Sequence, residues 1–207
     1  MNVRMLSADV PGTLLDSLTA GADMRGAVRV GAVALFAVMT AAASQVSVPV
    51  PFTLVPFTLT PLVVLLGGAA MGARLGMAAQ LVYLTAGIMG LPVFAASAVL
   101  PPGPLRLIGP TGGYLMAYPL AAFVTGYLAE RGFDRRYATS VLAMSAGLAV
   151  IFAFGVSWLA LFARPAATGF AAALSGGLYP FLPADLFKIC VAAAVMPAIW
   201  RLLGRRV

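Results

Sequence analysis

Six apolar stretches run along this chain, at about residues 27–46, 58–71, 75–90, 112–129, 138–162 and 183–203, and polar positions collect between them. Four of the six approach the roughly 20 residues that a helix needs to cross a bilayer. The stretches at 58–71 and 75–90 are shorter and flank the tight turn MGARLG, so they predict a hairpin of two abbreviated helices. Gly67, Gly68, Gly72 and Gly76 gather around that turn, and small residues let neighbouring helices approach closely. The pattern predicts an all-α integral membrane protein of six transmembrane helices. Residues 1–26 read as an N-terminal arm and 27–207 as one six-helix membrane domain. The first stretch has a second reading as a cleaved leader, since Arg25 and Arg29 introduce it and TAAASQ resembles a cleavage site. It is longer than the about 7–15 residues of a leader's apolar region.

Charge orients the bundle. With six spans, Arg4, Arg25, Arg29, Arg74, Arg131, Arg135, Arg136, Arg201, Arg205 and Arg206 fall on one side, against Arg106 and Arg164 on the other, with Lys188 just inside a helix. Basic residues favour the cytoplasmic side, which predicts a multi-pass protein of the cytoplasmic membrane with both termini inside. Most of the fifteen prolines lie instead in 46–61, 91–110 and 164–183. Proline fixes φ and removes a donor, so these outer connections are expected to be ordered and non-helical. Long ordered connections commonly carry function.

Composition supports the membrane reading: 62% of residues are hydrophobic and 9% charged, with a mean hydropathy of +1.01. Soluble domains hold about 25% charged residues. Histidine is absent and Cys190 is alone, which excludes His/Cys metal centres and His-based catalytic triads. Cys190, inside an apolar run, is expected to pack as a small hydrophobe. The net charge of +7 sits at segment ends, a sign of membrane orientation rather than of a nucleic-acid partner. No phosphate loop of the G-x-x-x-x-G-K-[ST] type occurs, so this chain does not itself hydrolyse nucleotides. No cofactor is expected.

Within this frame PADLFKIC, residues 183–190, stands out. It sets Asp185 and Lys188 one helical turn apart at the outer end of the last apolar run. One reading is an ion pair that caps the helix; the other is a ligand clamp in which the ammonium meets an anion and the carboxylate accepts N–H donors. Ionisable residues at membrane depth point to function. The outer connections add Arg106, the GPTGGY cluster at 109–114, and Thr53, Thr58 and Thr60 beside aromatic residues. In the first helix Ala37 and Ala41 form a small-xxx-small pair of the kind that packs helices.

The successive motifs PVPFTLVPFTL, AQLVYLTAGIMGLPVFA, GPTGGYLMAYPLAAFVTGYLAER and PFLPADLFK resemble the BioY family, the biotin-binding S components of energy-coupling factor transporters. The resemblance spans about 27–203. It implies a substrate-binding subunit that captures biotin from outside and works with a transmembrane coupling subunit and cytoplasmic ATPase subunits. It implies that Asp185 and Lys188 contact the ligand and that Ala37 and Ala41 resemble the surface that meets the coupling subunit. A pocket for biotin, with its ureido ring, thioether ring and carboxylate tail, needs apolar walls with few fixed polar groups. Asp185 suits the ureido N–H groups, and Lys188 or Arg106 the carboxylate. Tyr83 and Tyr114 suit flat walls, and Thr53 and Ser97 are further ligand candidates, although the family's Gln and Asn at nearby positions are replaced here by Thr60 and by Ala95, Ala96 and Ser97. Two other classes compete with vitamin capture. A self-sufficient ion- or proton-coupled carrier of a small carboxylate-bearing vitamin would use Asp185 and Lys188 as a relay, but no inverted repeat is evident. An enzyme would need a second acid or base at depth.

Overall fold

The computed structural model describes residues 12–18, 25–50, 53, 55–97, 100–162 and 169–203. After a one-turn helix α1 (Leu14–Leu18), the long α2 (Arg25–Gln45) leads into a two-residue strand pair, β1 (Ser47–Val48) and β2 (Phe57–Thr58). The strands run antiparallel, with Ser47 opposite Thr58 and Val48 opposite Phe57. Then follow α3 (Thr60–Met71), α4 (Ala73–Ile88), the short α5 (Leu105–Ile108), α6 (Gly112–Glu130), α7 (Tyr137–Leu161), α8 (Phe170–Gly177) and α9 (Leu182–Leu202). Helices α2, α3, α4, α6, α7 and α9 coincide with the apolar stretches. Among the described residues, Gly26–Gln45, α7 and α9 are long and apolar enough to cross a membrane.

Two observations differ from expectation. The proline-rich connections are not free of helix: α5 and α8 lie within them. Prolines there occupy the starts and flanks of the helical turns, where the missing N–H costs nothing. Cys190 is exposed on α9 rather than packed.

The bundle centres on α6, which packs against α3, α4, α5 and α7. That packing depends on absent side chains. A Cβ on Gly68 would come within 2.4 Å of the Ala122 carbonyl, and one on Gly126 within 2.4 Å of the Gly72 carbonyl carbon. Gly72 joins α3 to α4 alone, at φ +85°, a conformation that side-chain-bearing residues rarely adopt. The first free N–H of α4, at Ala73, is capped across the bundle by Glu130 Oε1 at 2.9 Å. The α3–α4 joint is thus held by the end of α6. Arg29, Arg74, Arg131, Arg135, Arg136 and Arg201 lie toward this end of the bundle; the proline-rich connections lie at the other.

α1 folds back onto this arginine end. Thr13 and Leu14 are buried, α1 packs on α3, and Asp16 pairs with Arg29 at 3.0 Å. The rest of the arm lies mostly outside the described residues.

Candidate functional site: a cavity under the proline-rich connections

At the opposite end, α2, β2, α3, α4, α5, α6, α7 and α9 surround a cavity of about 240 Å³. That is just under the about 300–1,000 Å³ of drug-sized ligand sites, and suits a small molecule. Its walls are mostly apolar and aromatic, with Phe57, Tyr83, Phe94, Tyr114, Tyr118, Phe152 and Phe181 among them. Phe57 and Phe181 stack at 6.5 Å with rings 9° apart, joining the β2 wall to the start of α9. Phe94 meets Tyr83 edge-on at 5.4 Å, in space that Gly87 leaves open: a Cβ there would fall within the Phe94 ring.

Two ionisable groups line the cavity. Asp185, 6% exposed, is in the first turn of α9 and lines the cavity. Its Oδ1 accepts from Lys188 Nζ at 2.7 Å, and among the described residues nothing hydrogen-bonds its Oδ2. Arg106, 7% exposed, comes from α5 and donates from Nε to the Pro101 carbonyl at 3.1 Å and from Nη1 to the Ala95 carbonyl at 2.8 Å. Among the described residues no carboxylate pairs with it. A buried charge without a counter-ion is expensive, so this guanidinium is set to receive an anion. Asp185 also borders a narrow gap toward Leu65 and Ala192, whereas Arg106 borders a more open recess with Gln45, Pro101 and Pro102. The two hollows share no residue, which puts the acid and the base on different walls.

The remaining predicted residues divide. Tyr83 (1% exposed), Tyr114, Thr53 and Ser97 all line the cavity. Yet the Tyr114 hydroxyl donates to the Gly177 carbonyl at 2.8 Å, and Thr53 Oγ1 donates to the Gly176 carbonyl while accepting from Val55 N. Both hydroxyls fasten α8 over the cavity. Ser97 Oγ accepts from Leu100 N at 3.2 Å, a loop-stabilising bond. Lys188 does not line the main cavity. Ala37 is buried among the core and Ala41 half-buried against it, while Val30, Leu35, Val38 and Met39 form the open side of α2.

Sequence reasoning missed Tyr118, Phe152 and Phe181 on the wall. Their only signal was aromatic residues in apolar runs, which does not separate lining from core.

The sequence pattern of the BioY family matches residues 17–205. A probable biotin transporter BioY from Pyrococcus horikoshii is 38% identical over 132 residues, covering 64% of this chain and 72% of the relative. The biotin transporter BioY of Thermotoga maritima is 39% identical over 132 residues, with 64% and 73% covered. That of Rhizobium etli is 36% identical over 154 residues, with 70% and 74% covered. Among solved structures, the S-component for biotin from an ECF-type ABC transporter superposes with a TM-score of 0.76 at 18% identity, over 86% of this chain and 94% of that one.

Proposed function

We infer that this chain, which belongs to the BioY family, binds biotin and serves as the substrate-binding subunit of an energy-coupling factor transporter. It is a multi-pass membrane transport protein, not an enzyme. The observation that carries the reading is the cavity's pairing of one acid with an unspent oxygen and one base without a counter-ion, on separate walls of an aromatic pocket. Biotin is the complement of that arrangement. Its ureido N–H groups suit Asp185 Oδ2, its fused rings suit the walls of Tyr83, Tyr114, Phe57 and Tyr118, and its carboxylate suits Arg106. Thr53 and Ser97 shape the same wall through their loop bonds.

Six spans cross the cytoplasmic membrane with both termini inside, and the cavity opens outward. Arginines at the far end face the cytoplasm, in keeping with the positive-inside rule. A transmembrane coupling subunit meets α2 along the Ala37–Ala41 stretch, of which Ala41 is the more open member, and ATPase subunits act through it. Lipid surrounds the bundle, and nucleic acid has no part.

The direct test is to purify the protein in detergent, denature it, and identify by mass spectrometry any small molecule released. Biotin is the expected product, with saturable rebinding to the emptied protein. Absence of both the released vitamin and any rebinding would overturn the reading.

A further inference from the structure

Lys188 sits beside the cavity but does not face it. Its ammonium, with three donors and no acceptor, meets the Thr58 carbonyl at 2.6 Å and Asp185 Oδ1 at 2.7 Å. It also lies 3.6 Å from the centroid of the Phe57 ring. The side chain borders a gap of about 10 Å³, walled by Pro61, Leu62, Leu65 and Leu148. A single water needs about 10–15 Å³, so no ligand carboxylate fits there. To reach the ligand, Lys188 would have to release the Thr58 carbonyl.

The partner it holds is distant in sequence, 130 residues away. Thr58 belongs to β2, whose ladder with β1 is two residues long, too short to be stable by itself. Residues Val55, Pro56, Phe57 and Thr58 nonetheless form a cavity wall. That wall is tied to the α8–α9 side at three points: Thr53 on the Gly176 carbonyl, Phe57 stacked on Phe181, and Thr58 on Lys188. Only the last also holds the ligand-facing acid.

We propose that Lys188 is a positioning residue, a latch that fastens the first outer connection to α9 and in the same contact orients Asp185, and that it does not read the ligand's carboxylate. The proposal rests on the biotin reading of the cavity. Its physical consequence is kinetic: without the latch the β1–β2 wall loosens, and bound ligand leaves faster.

The test compares biotin with biotin methyl ester, which keeps both rings but has no charge, on the purified protein. Lys188→Met is expected to weaken both compounds by the same factor, about ten- to a hundredfold for a lost charged hydrogen bond, and mostly through faster dissociation. Arg106→Met is expected to weaken biotin and spare the ester. Lys188→Arg, which can still reach the Thr58 carbonyl, restores much of the loss. Phe57→Ala, which leaves both charges in place, is expected to speed dissociation of the two compounds equally. A Lys188→Met loss confined to biotin, or wild-type affinity in that variant, overturns the latch. Hydrogen exchange on the ligand-free protein gives a reading independent of biotin. In Lys188→Met the amides of β1 and β2 should exchange faster while those of α6 do not. Unchanged β1–β2 exchange overturns the proposal even if neither compound binds the wild type, an outcome that would separately remove the biotin reading.

Discussion

Helix α9 meets a buried acid near each end, its own Asp185 and Asp134 from outside it, and the two are used in opposite ways. At the cavity end Asp185 is on the helix itself, paired with Lys188 at 2.7 Å and open to the cavity through its second oxygen. At the arginine end Asp134, 1% exposed, comes from the α6–α7 loop and accepts from Trp200 Nε1 at 2.6 Å. Arg135 lies over the face of the same indole, at 4.3 Å from its centroid. Among the described residues both carboxylates have an oxygen without a hydrogen-bond partner, since Asp134 Oδ1 also finds none. Only Asp185 opens on a space large enough for a ligand. Burial of an acid therefore does not by itself locate a site; an unspent acceptor that faces a cavity does. Asp134 serves to pin the last turn of α9 to the loop between α6 and α7.

The comparison is most directly broken at Asp185. Asp185→Asn removes the charged acceptor and leaves Lys188 without its counter-ion, so biotin affinity should fall by about 2–5 kcal/mol, roughly 30- to several-thousand-fold. Titration calorimetry on purified protein measures it, and retained affinity would place Asp185 with Asp134 as a structural acid. Trp200→Phe tests the other end. It leaves Asp134 Oδ2 buried without a donor, and a lost hydrogen bond to a charged group costs about 1.5–3 kcal/mol of stability. The melting temperature should drop while biotin affinity stays at the wild-type value; a parallel loss of binding would mean that the two ends of α9 are coupled.

The smallest effect concerns pH. Burial raises the Asp134 carboxyl above its ordinary value, opposed by the Trp200 hydrogen bond and by Arg135. An acid whose folded-state value is raised contributes most when protonated in both states, and that contribution is lost as pH rises through the folded-state value. Asp134→Asn still accepts from Trp200 but does not ionise. Its melting temperature should match the wild type in acid and gain on it toward neutral pH. A constant difference across the range would show that Asp134 does not titrate in this way.

Much of the scaffold was legible from residue order. Apolar runs of helical length marked α2, α7 and α9, and the break at Gly72 marked the joint between α3 and α4, because only glycine suits that backbone. The Asp185–Lys188 pair was visible because i and i+3 share a helix face. What Lys188 points at was not, because its second partner is a backbone carbonyl from β2. Carbonyls leave no mark in a sequence. The same reason hid the fate of the Thr53 and Tyr114 hydroxyls, spent on the carbonyls of Gly176 and Gly177. Asp134 was hidden differently, since the run Asp134-Arg135-Arg136 reads as a solvated loop until Trp200, 66 residues on, arrives beneath it. The helix α8 was masked by the prolines of its surroundings.

The brevity of α3 has a consequence for the path of the cargo. Its twelve residues extend only about 18 Å at 1.5 Å per residue, against a hydrocarbon layer of about 30 Å. Thr60, its first residue, is on the cavity wall. The cavity therefore occupies depth that a full-length helix would fill with its own backbone. In the orientation proposed above, a captured molecule would rest partly sunk into the bilayer, and the stretch left to travel would be about the length of one short helix.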